Sequence, residues 1–171
     1  MAPQAMSVSA VLARRAAMSG TDRAVIADDG NCDFAGLEAG AARMAAAFAG
    51  LGVEPGDRVG LLLPAGLGFA QAFFALARLG AIACPLNTRL GAGELADIVT
   101  LSGLQLLLHH DQFATIADAV LVACPDVQRQ EFDALIVWLT QRLWLHIIFV
   151  SQRTRSCWYS HQAPRADPRA S

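Results

Sequence analysis

Arg58-Val-Gly-Leu-Leu-Leu-Pro64, then Phe69-Ala-Gln-Ala-Phe-Phe-Ala-Leu-Ala-Arg-Leu79 and Ala81-Ile-Ala-Cys-Pro85, decide the fold of this chain. The first run is apolar after Arg58 with no polar alternation, which marks a strand covered on both faces. Pro64 stops it. Phe69, Phe73 and Leu76 recur at helical spacing and predict a helix that lays one apolar stripe on a sheet. The next run is a short strand over 81–84. The alternation continues with a helix over 93–101, a strand over 104–108 and a helix over 113–122. Strands and helices that alternate through short connections imply right-handed βαβ crossovers. The fold class is therefore α/β, with a mostly parallel sheet flanked by helices.

Toward the N-terminus the pattern is more local. Residues 8–18 predict a short amphipathic helix with Val8, Val11 and Leu12 on one side, broken by Ser19-Gly20-Thr21-Asp22. An apolar run over 23–28 meets the turn signal Asp28-Asp29-Gly30-Asn31, and 32–34 forms the returning strand of a hairpin. Leu37, Ala41, Met44, Phe48 and Leu51 make one helical stripe, with Asp33 placed to cap it and Gly50 and Gly52 to end it.

Composition narrows the function classes. The chain has 171 residues, about one domain by length. Charged residues are 16%, below the usual ~25%, and hydrophobic residues 54%, so bulk disorder is excluded. A net charge of −2 argues against coating nucleic acid or an acidic membrane. All 13 basic residues are Arg, and mechanisms that need a lysine, such as a Walker phosphate lysine or a Schiff base, are closed to it. All 14 glycines lie between Gly20 and Gly103, whereas Trp138, Trp144, Trp158 and Tyr159 supply every Trp and Tyr. Two compositions meet in one chain.

The segments beyond that seam predict little order. Residues 134–150 are apolar but interrupted by Gln141, Arg142 and His146. A bilayer span needs about 20 apolar residues, and an arginine near its middle costs several kcal/mol, so a membrane span is disfavoured. The stretch 153–171 has no periodicity and reads as a disordered tail. Cys32, Cys84, Cys124 and Cys157 include no C-x-x-C pair, which argues against a zinc site. Residues 1–18 carry no secretory pattern, so reduced thiols and a cytoplasmic location are expected.

Each candidate site has a plain structural explanation. Gly66-Leu-Gly68 follows a strand and opens a helix, the place of a dinucleotide-binding turn. Ala70 and Gln71 replace the third glycine, and no acid follows until Glu94, so these glycines read as turn residues. His109-His110-Asp111 ends a strand whose successive side chains point to opposite faces. The two imidazoles therefore cannot share one ion, and a solvated strand end is expected. Asp28 and Asp29 lie in a turn where capping and solvation explain them. Ser7, Ser9, Ser19 and Ser102 lack a nucleophile elbow. No residue is assigned a catalytic, cofactor-binding or metal role.

Several runs together resemble the N-terminal portion of the AMP-forming acyl-CoA synthetases, of the adenylate-forming ligase superfamily. They are Cys32-Asp-Phe-Ala-Gly-Leu37, Gly50-Leu-Gly-Val-Glu-Pro-Gly-Asp-Arg-Val59, Leu61-Leu-Leu-Pro64 and Ala72-Phe-Phe-Ala-Leu-Ala-Arg-Leu-Gly-Ala81. Most specific is Cys84-Pro-Leu-Asn-Thr-Arg-Leu90 with Gly93-Glu-Leu95, similar to runs in fatty-acyl and aryl-CoA ligases. Glu131-Phe-Asp-Ala-Leu-Ile136 closes the likeness. Gly36 stands where the family has a Glu that would complete a capping box, and Gly66-Leu-Gly-Phe69 replaces a more polar helix start.

The resemblance divides the chain into an N-terminal helix and linker (1–22), a partial AMP-binding ligase subdomain (23–136) and an unmatched tail (137–171). It implies a family that activates a carboxylic acid, fatty or aryl, with ATP to an acyl-adenylate and then a CoA thioester, using ATP, Mg and CoA. That reaction needs a Ser/Thr/Gly-rich phosphate loop ending in Pro-Lys and a later lysine to stabilise the adenylate. Val137 to Ser171 contains neither glycine nor lysine. The seam near 136 suits a frameshift, insertion or truncation. The expected protein is a truncated ligase, inactive alone and binding no cofactor, with bare apolar faces that make it molten or poorly soluble. The alternative is a non-catalytic α/β binding or interaction module. A membrane-associated protein held through 134–150 is third. No nucleic acid is expected, and the sequence identifies no partner.

Overall fold

The computed structural model describes residues 7–136. At its centre is β3 (Arg58–Leu62), paired in parallel with β4 (Ile82–Pro85) on one side and β5 (Leu106–His109) on the other. A fourth parallel strand, β6 (Gln128–Glu131), lies outside β5 and makes the order β4-β3-β5-β6. Val59 and Leu61 are wholly buried because strands flank β3 on both edges and helices cover both faces. Gly60 keeps the central strand thin, since a Cβ there would sit 2.7 Å from Leu104 Cδ1. The fold class read from the sequence stands.

On one face, α2 (Phe34–Gly50) and α3 (Leu67–Leu79) bring Met44, Phe48 and Leu76 against Val59, Leu61, Leu106 and Leu108. On the other, α4 (Ala92–Ser102) and α5 (Ala114–Ala123) close Leu95, Val99, Ala117 and Val120 over Leu62 and Leu107. Helices thus cover both faces of the sheet among the described residues. Large exposed apolar side chains among the described residues are spread over α1, β1, β4, α4 and α5.

The hairpin of β1 (Arg23–Ala27) and β2 (Gly30–Asp33) stands apart from the sheet, turning through Asp28-Asp29. Gly30 has φ +147°, which side-chain-bearing residues rarely adopt. The hairpin and α1 (Val8–Ser19) pack on α2 and α3 through Leu12, Leu37 and Ala41. Asp33 caps α2 as expected, its Oδ1 accepting from the Gly36 amide at 2.7 Å.

Three local readings are corrected. Val8 and Val11 are half exposed, at 50% and 49%, and only Leu12 of that stripe is buried. Helix α3 starts at Leu67, two residues before the apolar stripe, because an acid from another element caps it. Strand β6 went unforeseen, since Gln-Arg-Gln-Glu carries no strand propensity and forms only by pairing with β5. Among the described residues no helix is long and apolar enough to cross a membrane. The readings of a span over 134–150 beyond Ile136, of the tail, and of Cys157 lie outside the described residues.

Candidate functional site

Neighbouring strands β3 and β5 send their helices to opposite faces of the sheet, α3 to one and α5 to the other. Such a switch point opens a crevice at the carboxyl ends of the strands, where open α/β sheets receive ligands. A cavity of about 260 Å³ lies there. Leu63 and Pro64 come from the end of β3, Gly68 and Phe69 from the first turn of α3, and His110 from the end of β5. Phe132, Asp133 and Ile136 come from the helical turn that follows β6.

Asp29 forms one rim. Its Oδ1 accepts from the Leu67 amide at 2.8 Å and its Oδ2 from the Gly68 amide at 3.0 Å, so a hairpin turn caps a helix far along the chain. Burial works against the charged carboxylate. The amides of Gly68 and Leu67, its own amide and the nearby His110 outweigh that, and the Asp29 pKa lies below the ordinary aspartate value. The glycines of the turn make room for this contact. A Cβ on Gly66 would fall 2.5 Å from Asp29 Oδ1, and one on Gly68 would fall 2.6 Å from Phe132 Cζ. Gly66-Leu-Gly68 is therefore spaced for a carboxylate and a phenyl ring of the same chain.

The two histidines behave unlike one another, as the alternation of a strand requires. His109 is fully buried, which corrects the expectation of a solvated strand end: β3 and β6 flank it, and its side points toward α5. Arg129 Nε donates to His109 Nε2 at 2.9 Å, and Arg129 Nη1 pairs with Asp118 Oδ1 at 2.6 Å. A guanidinium can only donate, so the His109 proton sits on Nδ1, which donates to the His110 carbonyl at 3.1 Å. His110 faces the cleft, and its Nδ1 accepts from the Gln112 amide at 3.2 Å. Sequence reasoning missed the Arg129–His109 pair because it spans two strands, one of them unforeseen.

Among the described residues the cleft is lined by no cysteine, serine or threonine. Cys32 and Cys84 lie elsewhere, burial pushing both thiols up; Asp33 adds to this at Cys32, and Arg58 opposes it at Cys84. Cys32, Cys84 and Cys124 are free thiols. Among the described residues no three His, Cys, Asp or Glu side chains converge to hold a metal ion. The N-terminus of α3, a glycine-rich strand-to-helix turn at the cleft, is filled by the Asp29 carboxylate. These residues do not fit ATP phosphates or Mg.

Residues 12–148 match the AMP-binding enzyme family. The chain belongs to it. The long-chain-fatty-acid–CoA ligase FadD13 of Mycobacterium tuberculosis is 39% identical over 87 residues, 51% of this chain and 17% of that protein. Feruloyl-CoA synthase of Amycolatopsis sp is 36% identical over 122 residues, 71% of this chain and 25% of that protein. The chain thus spans a quarter or less of the length of these AMP-binding relatives. An inhibitor-bound structure of the N-terminal domain of FACL13 from M. tuberculosis superposes with a TM-score of 0.75 at 31% identity, over 79% of this chain and 35% of that one.

Proposed function

We propose that the chain is the N-terminal portion of an AMP-forming acid–CoA ligase and that these 171 residues do not turn over by themselves. The family activates a carboxylic acid with ATP to an acyl-adenylate and passes the acyl group to CoA. The relatives named for long-chain fatty acids and for feruloyl-CoA support a fatty or aryl acid for the complete enzyme. The observation that carries the reading is the family match over 12–148 in a chain with no lysine and no glycine after Gly103. Displacement of pyrophosphate builds charge that amides and a cation must meet, and the candidate turn at the cleft among the described residues is filled by Asp29. The division into 1–22, 23–136 and 137–171 belongs to the same proposal, although the family match runs on to residue 148, as does a cytoplasmic location.

ATP–pyrophosphate exchange with fatty and aryl acids tests it. Purified chain, freed of host ligases, is expected to give none. Exchange that follows the chain through successive columns overturns the claim. Translating the coding DNA beyond codon 125 in all frames tests the origin of the seam: a Gly-rich loop ending in Pro-Lys in another frame is the expected result, and its absence from every frame counts against a frameshift.

A further inference from the structure

We propose that the cleft at the carboxyl edge of β3 and β5 binds a small organic cation, an arylalkyl primary amine. The argument rests on shape and on the sign of the charge. Phe69, Phe132, Leu63 and Pro64 stand in its walls, and Asp29 and Asp133 contribute carboxylates from separate elements. Among the described residues that line it there is no arginine. A carboxylate or phosphate entering would meet two carboxylates against the single imidazole of His110, whereas an ammonium meets carboxylates in excess beside two phenyl rings.

The walls are built rather than incidental. Phe132 lies on the bare Cα of Gly68, where a Cβ would approach its Cζ to 2.6 Å. Asp29 is held in place by two amides of α3 and stays ionised at neutral pH, its pKa lying below the usual value against the opposing effect of burial. At about 260 Å³ the cavity is smaller than drug-sized pockets, and it suits one aromatic ring on a short ammonium chain. The family's own substrates are acids, so this preference is opposite in sign to that of the reaction.

The test is a ligand-observed NMR titration of the full chain with benzylamine, benzyl alcohol and benzoate. Benzylamine is expected to saturate, benzyl alcohol to bind more weakly, and benzoate to show no saturable binding. Asp133→Asn, an isosteric change at an exposed position, should weaken benzylamine about threefold to fivefold, as expected for a solvent-exposed ion pair. Gly68→Ala should weaken all binding by displacing Phe132. Absence of saturable benzylamine binding overturns the proposal. Equal binding of benzoate does so too, as does a benzylamine affinity unchanged in both variants.

Discussion

The carboxyl ends of β3 and β5 lie side by side, yet the chain turns into a helix differently at each. After β5, His110 caps its own turn, its ring accepting from the Gln112 amide two residues on. After β3, Gly66 has no side chain to offer, and the cap arrives from Asp29, 38 residues earlier, across the gap between hairpin and sheet. A local cap joins a helix only to itself. An imported cap joins two units, so the glycine turn ties the β1–β2 hairpin to α3. The difference teaches that a glycine at a helix start can mark a place kept open for a side chain from elsewhere in the chain.

The largest expected effect lies beside the β5 end. His109→Ala opens a space in the core and leaves the inward N–H of Arg129 without its acceptor, a loss of roughly 2–4 kcal/mol. Urea unfolding at neutral pH measures it. A loss below about 1 kcal/mol would mean that β6 is not held through this histidine. Gly66→Ala comes next. The new Cβ displaces the Asp29 carboxylate and should cost about 1–2 kcal/mol, combining crowding with loss of the cap. Asp29→Ala alone should cost about 1 kcal/mol or less, because the group is exposed. The cycle is the sharper measurement: with Asp29 already removed, Gly66→Ala should become nearly neutral. Additive losses would break the link between turn and acid.

The sheet was legible because its signals are repeated. Unbroken apolar strands such as Leu61-Leu-Leu63, each followed by a helical stripe, leave few arrangements that bury both faces, and the parallel order follows. The α2 cap was legible for a simpler reason: Asp33 and Gly36 are neighbours in sequence. The cleft was not legible. Its members come from the hairpin turn, the ends of β3 and β5 and the turn after β6, and no spacing along the chain brings those together. Asp29 was read correctly as a capping residue, but its helix could not be named. His109 looked like the end of an exposed strand because Gln128-Arg-Gln-Glu131, the polar edge that covers it, has no hydrophobic pattern.

The smallest effect separates a charged cap from a merely polar one. Folding lowers the Asp29 pKa: burial raises it, and the amides of Gly68 and Leu67, its own amide and the nearby His110 more than offset that. A carboxyl that is more acidic in the folded state stabilises that state above its unfolded pKa, near 3.9 for an aspartate. The contribution is lost as pH falls through the folded pKa. The stability difference between the wild-type chain and Asp29→Asn should therefore favour the wild type, stay level from neutral pH to about 5, and shrink below about 4. Exposure keeps it modest. Urea midpoints at several pH values give the curve. A gap that stays level in acid would assign the Asp29 contribution to shape alone, and the two strand ends would then differ in the origin of their caps but not in charge.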